Sequence, residues 1–190
     1  MWSIKLDFTL DLVQEFLLKD FMKSVHRTRF LYLETKPPTE LGYGFFEPVL
    51  LILCWCDFLG ALYSGKGEWN KSTERTELFI KEVMSVANPK YVQAAKFIVK
   101  NYRHGSVHAY APGGNFNILQ NVSKEHLNRE QKPFVLKIDI NSLINDFEES
   151  VKWFAANITD EHKGSGSLDA FNRARRQLLK YEQEEPNEQG

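Results

Sequence analysis

Seven consecutive residues, Tyr102-Arg103-His104-Gly105-Ser106-Val107-His108, bring together a permanently charged guanidinium and two imidazoles that titrate near neutral pH. His108 has the chemistry to move a proton, and Arg103 has a planar fork of donors able to grip a phosphate through two parallel hydrogen bonds. On an ideal helix Arg103 and His108 lie about 140° out of alignment, whereas His104 and His108, four apart, share a face. Gly105 relaxes that geometry, because it tolerates backbone angles other residues resist. Two other uses are open to the same residues. Arg103 and His104 could cap the end of a helix, where cations meet the last carbonyls and the negative end of the dipole. His104 and His108 could hold a metal, although no third ligand follows at a regular spacing and His126 and His162 are far along the chain.

The element that delivers the motif begins at Asn88-Pro89, an asparagine cap followed by proline at a first helical position. Tyr91, Ala95, Ile98 and Tyr102 then form one apolar stripe, and Ala111-Pro112-Gly113-Gly114 stops the run. Upstream, Trp2 to Leu10 alternates like a strand. Leu10, Val13, Phe16, Leu17, Phe21 and Val25 then mark a helix from about Thr9 to about Leu33, ended by Pro37-Pro38. Phe45 to Tyr63 is apolar on every side, the pattern of a central buried helix. Its Asp57 must either face solvent or take a partner, with Arg103 as the candidate. Thr73 to Val86 gives a third helix. Ser64-Gly65-Lys66-Gly67 has glycines but not the strand–loop–helix grammar of a phosphate loop.

Downstream, Phe116–Asn121 and Phe134–Ile140 read as an antiparallel pair, to which the alternating N-terminal segment could add a third strand. Asn141 or Ser142 caps a helix running to about Ile158. Gly164-Ser165-Gly166-Ser167 reads as a flexible linker to a short helix, Leu168 to Tyr181, carrying Arg173, Arg175 and Arg176. The expected organisation is mainly α: a helical bundle over 1–160 with a small antiparallel β-hairpin near 116–140, then a flexible linker and C-terminal helical tail over 161–190.

Composition narrows the function classes. With 43% hydrophobic residues, the chain has material for one packed core. A net charge of -1 exerts no general pull toward polyanions, so any nucleic-acid contact must come from a local basic patch. The only cysteines, Cys54 and Cys56, are too close for a usual bridge and too few for a cysteine zinc site, which points to a reducing, cytoplasmic setting. The N-terminus lacks the layout of a signal peptide, and the apolar run Pro48 to Tyr63 is short for a bilayer. No membrane partner is expected.

Arg103-His104-Gly105-Ser106-Val107-His108 resembles the R-x(4–6)-H signature of the HEPN superfamily, over a helical context reaching to about residue 110. The resemblance implies an all-helical bundle and a metal-independent endoribonuclease, of the kind found in toxin–antitoxin, defence and RNA-processing systems. It implies a homodimer that lines one cleft with both copies of the motif. Arg103 and His108 would be the catalytic pair, and His104 would match the polar position after the arginine. No cofactor is implied; the partners would be RNA and a cognate antitoxin or regulatory protein. The competing expectation is a non-catalytic helical interaction module that holds a protein or RNA through the same dimer surface or through the Arg173–Arg176 helix.

Overall fold

The computed structural model describes residues 7–35, 46–100, 116–131, 134–160 and 164–180. Among these, six helices surround one core, and a three-stranded sheet flanks it. Helix α1 (residues 10–34) starts where Thr9 Oγ1 accepts the Leu12 amide at 3.4 Å. Its turns widen to π geometry at Phe16–Phe21 and Phe30–Glu34. Val13, Leu17, Phe21 and Val25 form its buried stripe, as the spacing predicts. Leu10 is already helical and residues 7–9 are irregular, so the described end of the alternating segment adds no strand.

Helix α2 (Phe46–Ser64) is the central helix. Val49, Ile52, Cys56, Leu59 and Leu62 are buried on it, and Trp55 stacks on Phe147 of a later helix with ring centroids 5.6 Å apart. Glu47–Ser64 is long and apolar enough to cross a membrane, yet half of that stretch is buried inside the protein. Helix α3 (residues 72–87) crosses α2 closely at Gly60. Helix α4 (Tyr91–Ile98) follows the Asn88 turn, in which the Asn88 carbonyl accepts the Tyr91 amide at 3.0 Å. Helical backbone continues through Lys100.

Strands β1 (Phe116–Leu119), β2 (Arg129–Gln131) and β3 (Phe134–Asp139) make a mixed sheet in the order β1-β3-β2. This corrects the expected antiparallel pair: β1 runs parallel to β3, with Phe116 opposite Leu136 and Leu119 opposite Asp139. The antiparallel partner of β3 is the short β2. Alternation fixes which residues share a face but not the direction of the neighbour. Here β2 turns the chain back, so that β3 returns in the sense of β1. Asp139 then caps helix α5 (Ile140–Asn157) by accepting the Ser142 amide and hydroxyl at 2.9 and 2.8 Å. Neither Asn141 nor Ser142 is the cap.

The expected flexible linker is held in its described part. Gly166 donates its amide to the Tyr63 carbonyl at 2.7 Å, Leu168 donates to Thr159 at 2.8 Å, and buried Ser167 caps helix α6 (Leu168–Lys180) through the Ala170 amide. The helix is no tail. Ala170, Phe171 and Ala174 are buried, and Asn172 exchanges two hydrogen bonds with the backbone of Phe8.

Candidate functional site

Arg103, His104 and His108 lie outside the described residues, as does the stop that follows them. What the structure defines is the platform that leads to them. Tyr91, Ala94, Ala95, Ile98 and Val99 of α4 are buried, so one side of that helix is clamped to the core. Gln93, Lys96 and Lys100 are exposed on the other side. Lys96 and Lys100, four apart, share that exposed side.

Beneath the start of α4 sits a buried polar triangle. His126, 2% exposed, accepts the Asp139 amide at Nδ1, 3.1 Å away, which leaves the proton on Nε2. Nε2 faces the Tyr91 hydroxyl at 3.0 Å and Asp146 Oδ2 at 3.4 Å. Burial, and then the Asp146 carboxylate, push the Tyr91 hydroxyl well above its usual range. The same residue types form proton relays elsewhere, but here Tyr91 is wholly enclosed. Its effect is mechanical: it fixes the first turn of α4 to β3 and α5. His126 is therefore a core histidine rather than a distant metal ligand. Among the described residues, no three of His, Cys, Asp and Glu converge as a metal site would need.

Asp57 does not face solvent freely, and its expected partner Arg103 lies outside the described residues. Its carboxylate receives Arg75 Nε and the Ser72 hydroxyl from α3. Arg75, only 5% exposed, also donates to the Glu68 carbonyl at 3.0 Å. The ion pair and its extra hydrogen bonds satisfy a charge that would otherwise be costly to bury. The cysteines carry no chemistry here. Cys54 is exposed, and Cys56 is buried against Met84 Sδ at 3.6 Å, burial pushing its thiol well up.

Of the arginines of α6, Arg175 is buried, while Arg173 and Arg176 are exposed yet bonded to the fold. Arg173 donates to the Gly65 carbonyl at 3.1 Å and to Asp169 at 2.8 Å, Arg176 pairs with Asp7, and Arg175 lies 4.4 Å over the Phe8 ring. The cationic surface that sequence reasoning passed over is on α4. The readable signal was an absence: residues 83–124 contain no Asp or Glu, while Lys90, Lys96, Lys100, Arg103 and Lys124 fall within them. No family model matches the chain, and neither a curated protein nor a solved structure matches it.

Proposed function

We propose that the chain is a metal-independent endoribonuclease of HEPN type, working in the cytoplasm as a homodimer and restrained by a cognate protein of the antitoxin kind. The observation that carries the reading is the Arg103…His108 spacing in the sequence that follows a core-clamped helix, inside a stretch free of carboxylates. That setting suits a phosphodiester, because no neighbouring acid in sequence competes for the guanidinium. The mainly helical fold is in keeping with it.

In this mechanism His108 takes the proton from the ribose 2′-hydroxyl, and the 2′-oxygen attacks phosphorus. Arg103 holds the non-bridging oxygens as charge builds on them, and His104 supports the site. The bond from phosphorus to the 5′-oxygen breaks, that oxygen is protonated by the second imidazole of the dimeric cleft, and a 2′,3′-cyclic phosphate remains. Drawing one motif from each protomer removes the difficulty that a single helix turns Arg103 and His108 apart. The test is RNA cleavage in excess chelator. The unchanged chain is expected to leave cyclic phosphate ends, and His108→Ala is expected to lose about 100-fold or more in rate, the scale of a removed general base. Equal rates would take His108 out of the mechanism and leave a non-catalytic helical interaction module as the reading.

A further inference from the structure

We propose that the outward face of α4 is a phosphate-binding track that feeds single-stranded RNA to the Arg103–His108 motif. The inference rests on the ribonuclease reading and adds to it the residues that would hold the strand. Lys96 and Lys100 are exposed, and they stand one turn apart, about 6 Å along the helix axis. That interval is close to the phosphate-to-phosphate step of an extended single strand. One turn before Lys96, the Arg129 guanidinium of β2 donates to the Gln93 carbonyl and so sits against the same helix. Alongside, Lys90 Nζ is held 2.8 Å from Asn128 Oδ1 and 3.2 Å from the His126 carbonyl. These cations make a row along α4, and the Arg103–His108 motif follows it in the sequence.

The row is a group of cations without counter-charges. Several cations on other faces are answered: Lys19 by Glu15, Lys23 by Asp20, Lys71 by Glu74, Lys137 by Glu125 and Lys152 by Glu148, all within 3.1 Å. Among the described residues, no carboxylate meets Lys90, Lys96, Lys100 or Arg129 within ion-pair distance. Among the described residues, four cations thus lie together with no carboxylate answering them, in and beside a stretch of sequence, 83–124, that holds no acid and contains the Arg103–His108 motif. Phosphate contacts of this kind act through counterion release and read no sequence. A single line of cations follows one backbone, so a single strand is the fitting ligand rather than a duplex.

The probe is fluorescein-labelled 2′-O-methyl oligouridine, which lacks the nucleophile and so survives with the unchanged chain. Its binding is read by anisotropy across a salt series. Lys96→Gln/Lys100→Gln is expected to bind about tenfold more weakly, with its salt slope smaller by about 1.4, two single-strand phosphates' worth. Lys19→Gln/Lys23→Gln, which removes two cations already paired, is expected to bind like the unchanged chain. Circular dichroism melting of both doubles checks that these exposed changes leave the fold intact. If the unchanged chain binds the oligomer and Lys96→Gln/Lys100→Gln binds it equally, with the same slope, the track is overturned while the ribonuclease reading stands. Preference for duplex RNA, or for polyglutamate over RNA, overturns the single-strand assignment. If the unchanged chain neither binds nor cuts RNA, the track and the ribonuclease reading fall together.

Discussion

Glu148 on α5 takes Lys152 at 2.9 Å from one turn ahead and Arg29 at 2.6 Å from α1. Partial burial alone would raise its pKa, but the hydrogen bonds from Lys152 and Arg29 outweigh that and hold it below the usual carboxylate range. A lowered folded pKa means that folding favours the ionised form. The stability so gained is present above the unfolded value, about 4.3, and is lost as pH falls through the folded value. Glu148→Gln should therefore be less stable near neutral pH, and its urea midpoint should fall less steeply on acidification from about pH 5 to pH 3. An acid limb unchanged by the substitution would show that this carboxylate does not tie α1 to α5. At this scale, little of the partner choice was legible beforehand. That Asp57 needed either solvent or a partner followed from its apolar helix, but Arg75 is 18 positions away on another helix. No local spacing names such a pairing. The proton-bearing nitrogen of His126 is likewise set by an amide of β3, which only the fold brings near.

At the scale of elements, the helices were readable because their buried stripes repeat every three or four residues. α1 begins at its Thr9 cap, α4 follows its Asn88 turn, and α3 and α5 fall within one or two residues of expectation. Strand direction was not readable, because period-two alternation is the same for parallel and antiparallel neighbours. Nor was the closeness of α2 to α3. A glycine inside a helix costs about 1 kcal/mol relative to alanine, so sequence alone recommends Gly60→Ala as stabilising. The packing says otherwise: a Cβ at Gly60 would stand 2.1 Å from the Arg75 carbonyl oxygen, which is backbone and cannot swing aside. Overpacking of that kind costs about 1 to 3 kcal/mol, enough to outweigh the propensity gain. Separating the helices would also pull Arg75 from Asp57. Gly60→Ala should lower the thermal midpoint by several degrees; a rise would show that the crossing is looser than its geometry.

The domain boundary belongs to the whole molecule. Residues 164–167 look like a linker because glycine and serine dominate, and composition cannot see that Gly166 and Ser167 are bonded to Tyr63 and to the first turn of α6. Beyond them, α6 closes the fold on itself by joining the two described extremes of the chain. Asn172 holds Phe8 through bonds of 2.7 and 2.9 Å, Phe171 packs against Phe8 and Phe16, and Gln177 accepts the Gly67 amide at 2.6 Å. Phe171 is 1% exposed, and a buried phenylalanine lost to alanine costs about 3 to 5 kcal/mol. A domain of this size is held by about 5 to 15 kcal/mol in all, so removing the whole helix should exhaust most of that margin. A chain ending at residue 160 should therefore bind an apolar dye, lose its near-ultraviolet circular dichroism and melt without a cooperative transition, while keeping much of its helical signal. Phe171→Leu in the full chain should instead melt cooperatively at a lower temperature, separating weakened packing from a missing element. If the shortened chain melts sharply with native near-ultraviolet signals, α6 is an appendage after all and the core ends with α5.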